Sequence, residues 1–278
     1  MEFAHVIAAL SSALLHAGWN AAIKSSRNPA QAMTAQMLLG AILVVPGLVW
    51  TGLPAQAAWG WIAASTVMNI LTVQALLRAY ELGGFGIVYP IVRALAVLLV
   101  VPLAAGLAGD RIGPAALAGI LVITLSLAAL SYDAARDKAV TGRALAWTLA
   151  AGLGTAAYII CDAQGVRAAG SPWAYGFAVS VTNAAAMCWR RRHAGPPWQQ
   201  LNGQWAVAAP VAIAAMVSYL LILWVWSHAP IAAASALRDT SAVFAILIAV
   251  IWLKEPFTPT RIVAVLLAAA AVPLLRLG

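Results

Sequence analysis

Charge is scarce in this sequence. Asp, Glu, Lys and Arg make up 9% of its 278 residues, whereas a soluble domain carries about 25%. A water-bathed fold of this size needs more polar surface than that, so a soluble globular class is excluded and the bilayer must be the solvent. Cysteine is scarce too. Cys161 and Cys188 each lie in or at the end of an apolar run. With no C-x-x-C spacing and no histidine cluster beside them they make no metal site and read as small buried hydrophobes. His5, His16, His193 and His228 are scattered and form no H-E-x-x-H pattern. Few carboxylates fall inside apolar runs, so a membrane-embedded enzyme lacks its constellation. There is no glycine-rich phosphate loop, hence no nucleotide domain, and no cofactor is expected. Met1-Glu2-Phe3 offers no basic segment ahead of the first apolar run, which continues to Ile23 without a small-residue cleavage site. That run is expected to remain as a membrane helix rather than act as a signal peptide.

What is abundant is apolar length. Of all residues 64% are hydrophobic, and a helical span needs about 20 of them. The runs predict spans at 4–23, 31–51, 57–81, 86–106, 114–131, 142–161, 173–189, 205–227, 231–252 and 259–276. Between them lies turn chemistry: Ser25-Ser26-Arg27-Asn28-Pro29, Gly52-Leu53-Pro54, Gly83-Gly84, Gly109-Asp110-Arg111, Gly195-Pro196-Pro197 and Lys254-Glu255-Pro256. The expected fold is all-α, a polytopic integral membrane protein of about ten transmembrane helices, multi-pass in the cell (inner) membrane with the lipid bilayer as its main partner. The net charge of +8 sits in short loops, as the positive-inside rule requires, and so does not point to nucleic acid. Lys24, Arg27, Arg136, Lys138, Arg143, Arg190, Arg191, Arg192 and Lys254 fall in or beside odd-numbered loops, and Arg111, Arg167 and Arg276 in even ones or at the end. This bias places both termini outside.

The chain divides near its middle. Residues 1–131 form one five-helix repeat, 132–141 a linker, and 142–278 a second repeat. A shift of 145 residues sets Arg93 over Arg238, Asp110 over Glu255 and Pro114 over Pro259. A shift of 139 sets Trp19 over Tyr158 and His16 over Thr155. Five helices per half is an odd number, so the second half enters the membrane inverted, an arrangement typical of transporters with a site near the midplane.

Four segments carry a family resemblance. They are His16-Ala17-Gly18-Trp19-Asn20 with Lys24, Tyr89-Pro90-Ile91-Val92-Arg93, Gly109-Asp110-Arg111 leading to Pro114, and Leu253-Lys254-Glu255-Pro256 leading to Pro259. Asp110 stands where the family habitually has Glu. With these motifs the whole chain resembles the EamA-type family of the drug/metabolite transporter superfamily. The resemblance implies a secondary transporter for export or uptake of small metabolites, often amino acids or their derivatives, by alternating access; an exporter is the expectation adopted.

Polar groups in the apolar runs are the candidate substrate-binding residues. Arg93 and Arg238 each lie about seven residues into a run, roughly 10 Å below the surface, where an Arg costs at least about 2.5–3.5 kcal/mol. A guanidinium pair suits a carboxylate, phosphate or phosphonate; snorkelling or a structural ion pair is the bland alternative. His16, Trp19 and Asn20 share one helix face at i, i+3 and i+4. Tyr158 and Asp162 sit at i, i+4 in the matching helix, and Asp162 is a candidate for proton coupling or for pairing with an Arg. Tyr89, one turn before Arg93, Asn69 and Tyr219 complete the set, with Asn183 a further polar position. Arg78 and Glu81 read as a surface ion pair. Trp50, Trp59, Trp61, Trp147, Trp173, Trp189 and Trp205 read as interfacial anchors. The expected cavity is lined by helices 1, 3, 4, 6, 8 and 9, with Gly83, Gly84 and Gly86 as a gate. An acidic small molecule is the expected substrate; a drug or cation exporter of the same fold is the alternative. Two complete halves allow a monomer or a homodimer.

Overall fold

The computed structural model describes residues 1–83, 85–136, 141–252 and 258–277. Asp137, Lys138, Gly84 and the Lys254-Glu255-Pro256 turn lie outside them. The helices are α1 (Phe3–Ser25), α2 (Pro29–Thr51), α3 (Trp59–Gly83), α4 (Phe85–Ala108), α5 (Pro114–Arg136), α6 (Gly142–Ala168), α7 (Pro172–Arg190), α8 (Trp205–His228), α9 (Ile231–Asp239), α10 (Ser241–Trp252) and α11 (Pro259–Leu277). Eight stretches among the described residues are long and apolar enough to cross a membrane, and Pro114–Leu130 adds a shorter apolar helix. The fold is therefore that of a polytopic membrane protein. α7, which carries Ser180, Thr182 and Asn183, is not among the eight.

Local chemistry explains the ends. Asn28 Oδ1 accepts from the Gln31 N–H at 3.1 Å, with Pro29 opening α2. Thr141 Oγ1 caps α6 through the Ala144 N–H at 3.2 Å, and Ser171 caps α7 through the Ala174 N–H at 3.3 Å. Each cap satisfies one of the free N–H groups that open a helix. Gly170, at φ 76°, takes the left-handed turn that reverses the chain between α6 and α7.

Two expectations shift. The segment expected as one helix at 231–252 is broken at Thr240, whose N–H and Oγ1 both donate to the Leu237 carbonyl, at 3.2 and 2.7 Å. The expected linker 132–141 begins later, because α5 runs on to Arg136.

Packing joins the two halves throughout. α1 packs on α8, α9 and α10; α3 on α6 and α7; α2 on α7 and α8; α4 on α6 and α9; α5 on α11. Interhelical hydrogen bonds pin these seams. The Ser12 and Ser218 hydroxyls each donate to the other's carbonyl, at 2.7 and 2.8 Å, across α1 and α8. Ser126 donates to the Ala264 carbonyl at 2.8 Å where α5 meets the small-residue face of α11. Trp50, Leu107, Trp189 and Leu266 stay exposed on the outside, where lipid replaces water.

The α3–α6 seam is the tightest near the centre. A Cβ on Gly154 would collide with Thr72 Oγ1 and lie 3.5 Å from the Thr72 Cα. Gly154→Val is therefore expected to lower the melting temperature of the purified protein, with an overpacking cost of about 1–3 kcal/mol. Gly106→Val, where a Cβ meets nothing within 4 Å, should leave it unchanged. Equal melting of both variants would show that this seam is not close-packed.

Candidate functional site

The site is assembled around charges that the bilayer cannot solvate. Arg93, one turn after Tyr89 and Pro90 on α4, is 3% exposed. Its Nη2 lies 2.6 Å from Asp239 Oδ1. Asp239 is the last residue of α9, at the break, so the two halves meet in a buried ion pair. Adjacent helical residues diverge by about 100°, and so Asp239 turns to Arg93 rather than to its neighbour Arg238.

Arg238 has a different environment. It is 4% exposed, its Nη2 sits 3.4 Å from His16 Nδ1, and its guanidinium lies over the Trp226 ring, 5.6 Å from the centroid. Among the described residues its Nε and Nη1 have no hydrogen-bond partner. Trp226 is fully buried and donates to Ser235 at 3.1 Å. The end of α9 favours a cation at this position, because the last carbonyls carry partial negative charge.

Both arginines line a central cavity of about 160 Å³. A void of about 150 Å³ accommodates a benzene-sized molecule. His16, Trp19, Asn20, Asn69, Tyr89, Tyr158 and Tyr219 line it too. Along α1 the His16 and Trp19 rings meet edge-on at 5.0 Å, and the Asn20 amide donates to the His16 carbonyl at 2.8 Å. Tyr89 anchors its hydroxyl against Ser241 at 3.0 Å, at the start of α10. With Arg93, Arg238 and Asp239 charged, the polar side of the cavity carries one net positive charge. Met33, Met37, Met216, Val92 and Leu76 form its apolar side.

Asp162 stands apart from the other predicted residues. It is buried inside α6, which runs on to Ala168, and it lies behind the cavity wall. Ser65, Tyr175 and Tyr219 donate to it; no Arg pairs with it among the described residues. The sequence reading also left out two helices. Gln36 of α2 and Ser180 of α7 reach the cavity beside Asn183, the one residue of these helices already named from the sequence, and an isolated amide in an apolar run was the available signal for Gln36. Asp239 was the more consequential omission, as a carboxylate within an apolar run beside an Arg. Arg78 and Glu81 do form the expected exposed pair, at 2.8 Å.

Residues 142–277 match the model of the EamA-like transporter family. The second half of the chain is that of an EamA-like transporter. A crystal structure of a protein only 15% identical superposes with a TM-score of 0.78, covering 100% of this chain and 98% of the other; at that identity the likeness speaks for the fold alone. No curated protein matches.

The two ends of this EamA-like transporter differ. At the even-loop end Asp110 accepts from the Ile231 and Ala232 N–H groups that open α9, and faces Arg167 at 3.5 Å. Arg167 also donates to the Trp226 and Ala229 carbonyls, at 3.1 and 3.0 Å. This network ties α4, α6, α8 and α9 together. At the odd-loop end a cavity of about 460 Å³ is lined by Lys24, Arg78, Glu81, Arg190 and Arg191, and it shares Val73 with the central one.

The ion pair makes a testable demand. Asp239→Asn strands a buried guanidinium, expected to cost about 3–5 kcal/mol. Combining it with Arg93→Met removes the stranded charge and should restore most of the lost thermal stability. A double variant no more stable than Asp239→Asn would mean that Arg93 finds another counter-charge.

Proposed function

We propose that this EamA-like transporter carries a small metabolite with one acidic group, an amino acid or small organic acid, by alternating access. The observation that carries the reading is Arg238: a buried guanidinium with two unpartnered nitrogens on the wall of a small cavity. A buried donor set of this kind needs an acceptor, and a carboxylate matches its fork. Arg93 is committed to Asp239 and sets the cavity's charge, while Arg238 meets the substrate. The cation alternative would need a carboxylate free to face the cavity, and Asp239 faces Arg93 instead.

The mechanism follows from two halves related by an inverted repeat. Exchanging each helix for its counterpart in the other half, with α9 and α10 counted together, turns the α3–α6 contact into α8–α1, α4–α6 into α9–α1, and α2–α8 into α7–α3, all of which occur. Arg93 and Arg238, Trp19 and Tyr158, and His16 and Thr155 are matched pairs that all line one cavity. In this reading the Asp110–Arg167 network is the closed gate and the basic mouth is the open one, cytoplasmic by the loop charges with both termini outside.

The decisive experiment is flux in proteoliposomes with a panel of amino acids, organic acids and aminophosphonates. Arg238→Ala is expected to reduce flux of an acidic compound by at least about tenfold, the worth of one charge-assisted contact. Transport restricted to cations or neutral compounds, or normal flux in the variant, removes the reading.

The gate has its own test. Asp110→Ala removes the acceptor at the start of α9. In a background lacking Cys161 and Cys188, Ala232→Cys should then become labelled by an impermeant maleimide added from the even-loop side. Labelling that is equal with and without Asp110 would show that the network is not the seal.

A further inference from the structure

Behind the cavity wall lies a polar centre that substrate contact alone does not explain. Asp162 is 2% exposed. Its Oδ1 accepts from Ser65 Oγ at 2.5 Å and from the Tyr175 hydroxyl at 3.1 Å, and its Oδ2 accepts from the Tyr219 hydroxyl at 2.9 Å. The donors come from α3, α7 and α8. A carboxylate only accepts, at about four positions, so three donors nearly saturate it. A proton added to one oxygen on the side of a hydroxyl makes that hydroxyl the acceptor and frees its O–H to point elsewhere, while the other oxygen keeps its two acceptor positions. Ser65 and Tyr175 are closed in, at 1% and 0% exposure, whereas Tyr219 is partly exposed and lines the central cavity. Tyr219 is therefore the hydroxyl with room to turn.

We propose that Asp162 is a proton-binding site coupled to the substrate cavity through Tyr219, so that proton and acidic substrate occupy the transporter together. The proposal rests on the acidic-substrate reading above. The step is a simple addition: a proton arriving through the cavity adds to Oδ2, giving the neutral acid. The Tyr219 O–H then turns and donates to the substrate. Losing one negative charge near Arg238 also strengthens the hold on an anion. The other titratable or charged groups around Asp162 are Cys161 on its own helix, Tyr175, Tyr219 and Arg238. α3 contributes the neutral Ser65, and α4, on the far side of α6, contributes Tyr89 and Arg93 to the cavity. The remaining buried carboxylate there, Asp239, is held by Arg93. Linkage is reciprocal: substrate favours the proton as the proton favours substrate. Ions that bind together cross together, so an acid gradient drives substrate toward the alkaline side. With the acid side outside, that is uptake, opposite to the export expected from the sequence.

Two measurements on the purified full-length protein test this. The first needs no substrate: infrared difference spectra between about pH 8 and about pH 5.5, a range free of ordinary carboxyl titration. A protonated-carboxyl band is expected in the wild type and in Asp239→Asn, and is lost in Asp162→Asn; its persistence in Asp162→Asn overturns the proposal. The second is calorimetric binding of alanine and pyruvate, neither of which titrates in that range. The wild type should bind one of them about tenfold more tightly at the acid end, within the usual span of coupling, and Asp162→Asn should bind it equally at both. Should Asp162→Asn not purify intact, Tyr219→Phe serves: it should keep the carboxyl band and lose the pH dependence of affinity. Binding without pH dependence in the wild type overturns the coupling and leaves the acidic-substrate reading standing. Absence of binding by either probe at both pH values overturns joint occupancy together with that reading.

Discussion

An ion pair that cannot reach water organises this transporter. Arg93, inside α4, and Asp239, at the end of α9, lie 2.6 Å apart, both essentially inaccessible. Neither would be tolerated alone in hydrocarbon. Each therefore requires the other, and because they come from different halves, the pair fixes how α4 meets α9. The break at Thr240 belongs to the same constraint. A short half-helix ending there brings Asp239 to Arg93 and leaves Arg238 at its C-terminal end, over Trp226 and beside His16. Discontinuous helices at membrane depth occur where backbone and charge line a cavity, and this one does.

The pair also divides the labour between two arginines that look equivalent in the sequence. The repeat shift makes them counterparts, and the plain expectation is a two-pronged anion clamp. Asp239 removes one prong, since it follows Arg238 with no acidic counterpart after Arg93, where Ala94 stands. On the proposed repeat, the two halves would match in their helices and differ in their charges. A single net positive charge is what a substrate with one acidic group would balance.

The spans were readable because they depend on one-dimensional quantities: apolar length, N-cap residues and prolines. The described helices begin and end within a few residues of the runs, apart from α6, which runs nearly two turns past its apolar run and there carries Gln164 and Arg167. Much of the cavity was readable for a related reason. A polar side chain in an apolar run must face other protein, so His16, Asn20, Asn69, Arg93 and Arg238 announced themselves. What the sequence could not reveal was pairing. Nothing in residue order says that Asp239 turns to Arg93, that Asp110 caps a helix some 120 residues away, or that Asp162 collects three hydroxyls from three helices. Those are products of packing between halves, and packing is decided by close approaches such as Gly154 on Thr72.

The two ends show how loop charge serves topology and access at once. Lys24, Arg78, Arg190 and Arg191 gather around the wider mouth, where the positive-inside bias would place them for insertion. There they also make a positive approach to the central cavity, which concentrates anions near the opening. At the opposite end Arg167 is consumed by carbonyls and by Asp110, and Asp110 by the start of α9. The same residue types thus line a basic cavity at one end and are cross-linked to carbonyls and to the start of α9 at the other. Because α9 begins where Asp110 binds it and ends at Arg238 and Asp239, nine residues connect the Asp110–Arg167 network to the charge centre. A helix that short moves as a rigid piece. On the proposed mechanism, a displacement of Asp239 or Arg238 would thereby reach the Ile231 end, where Asp110 holds it.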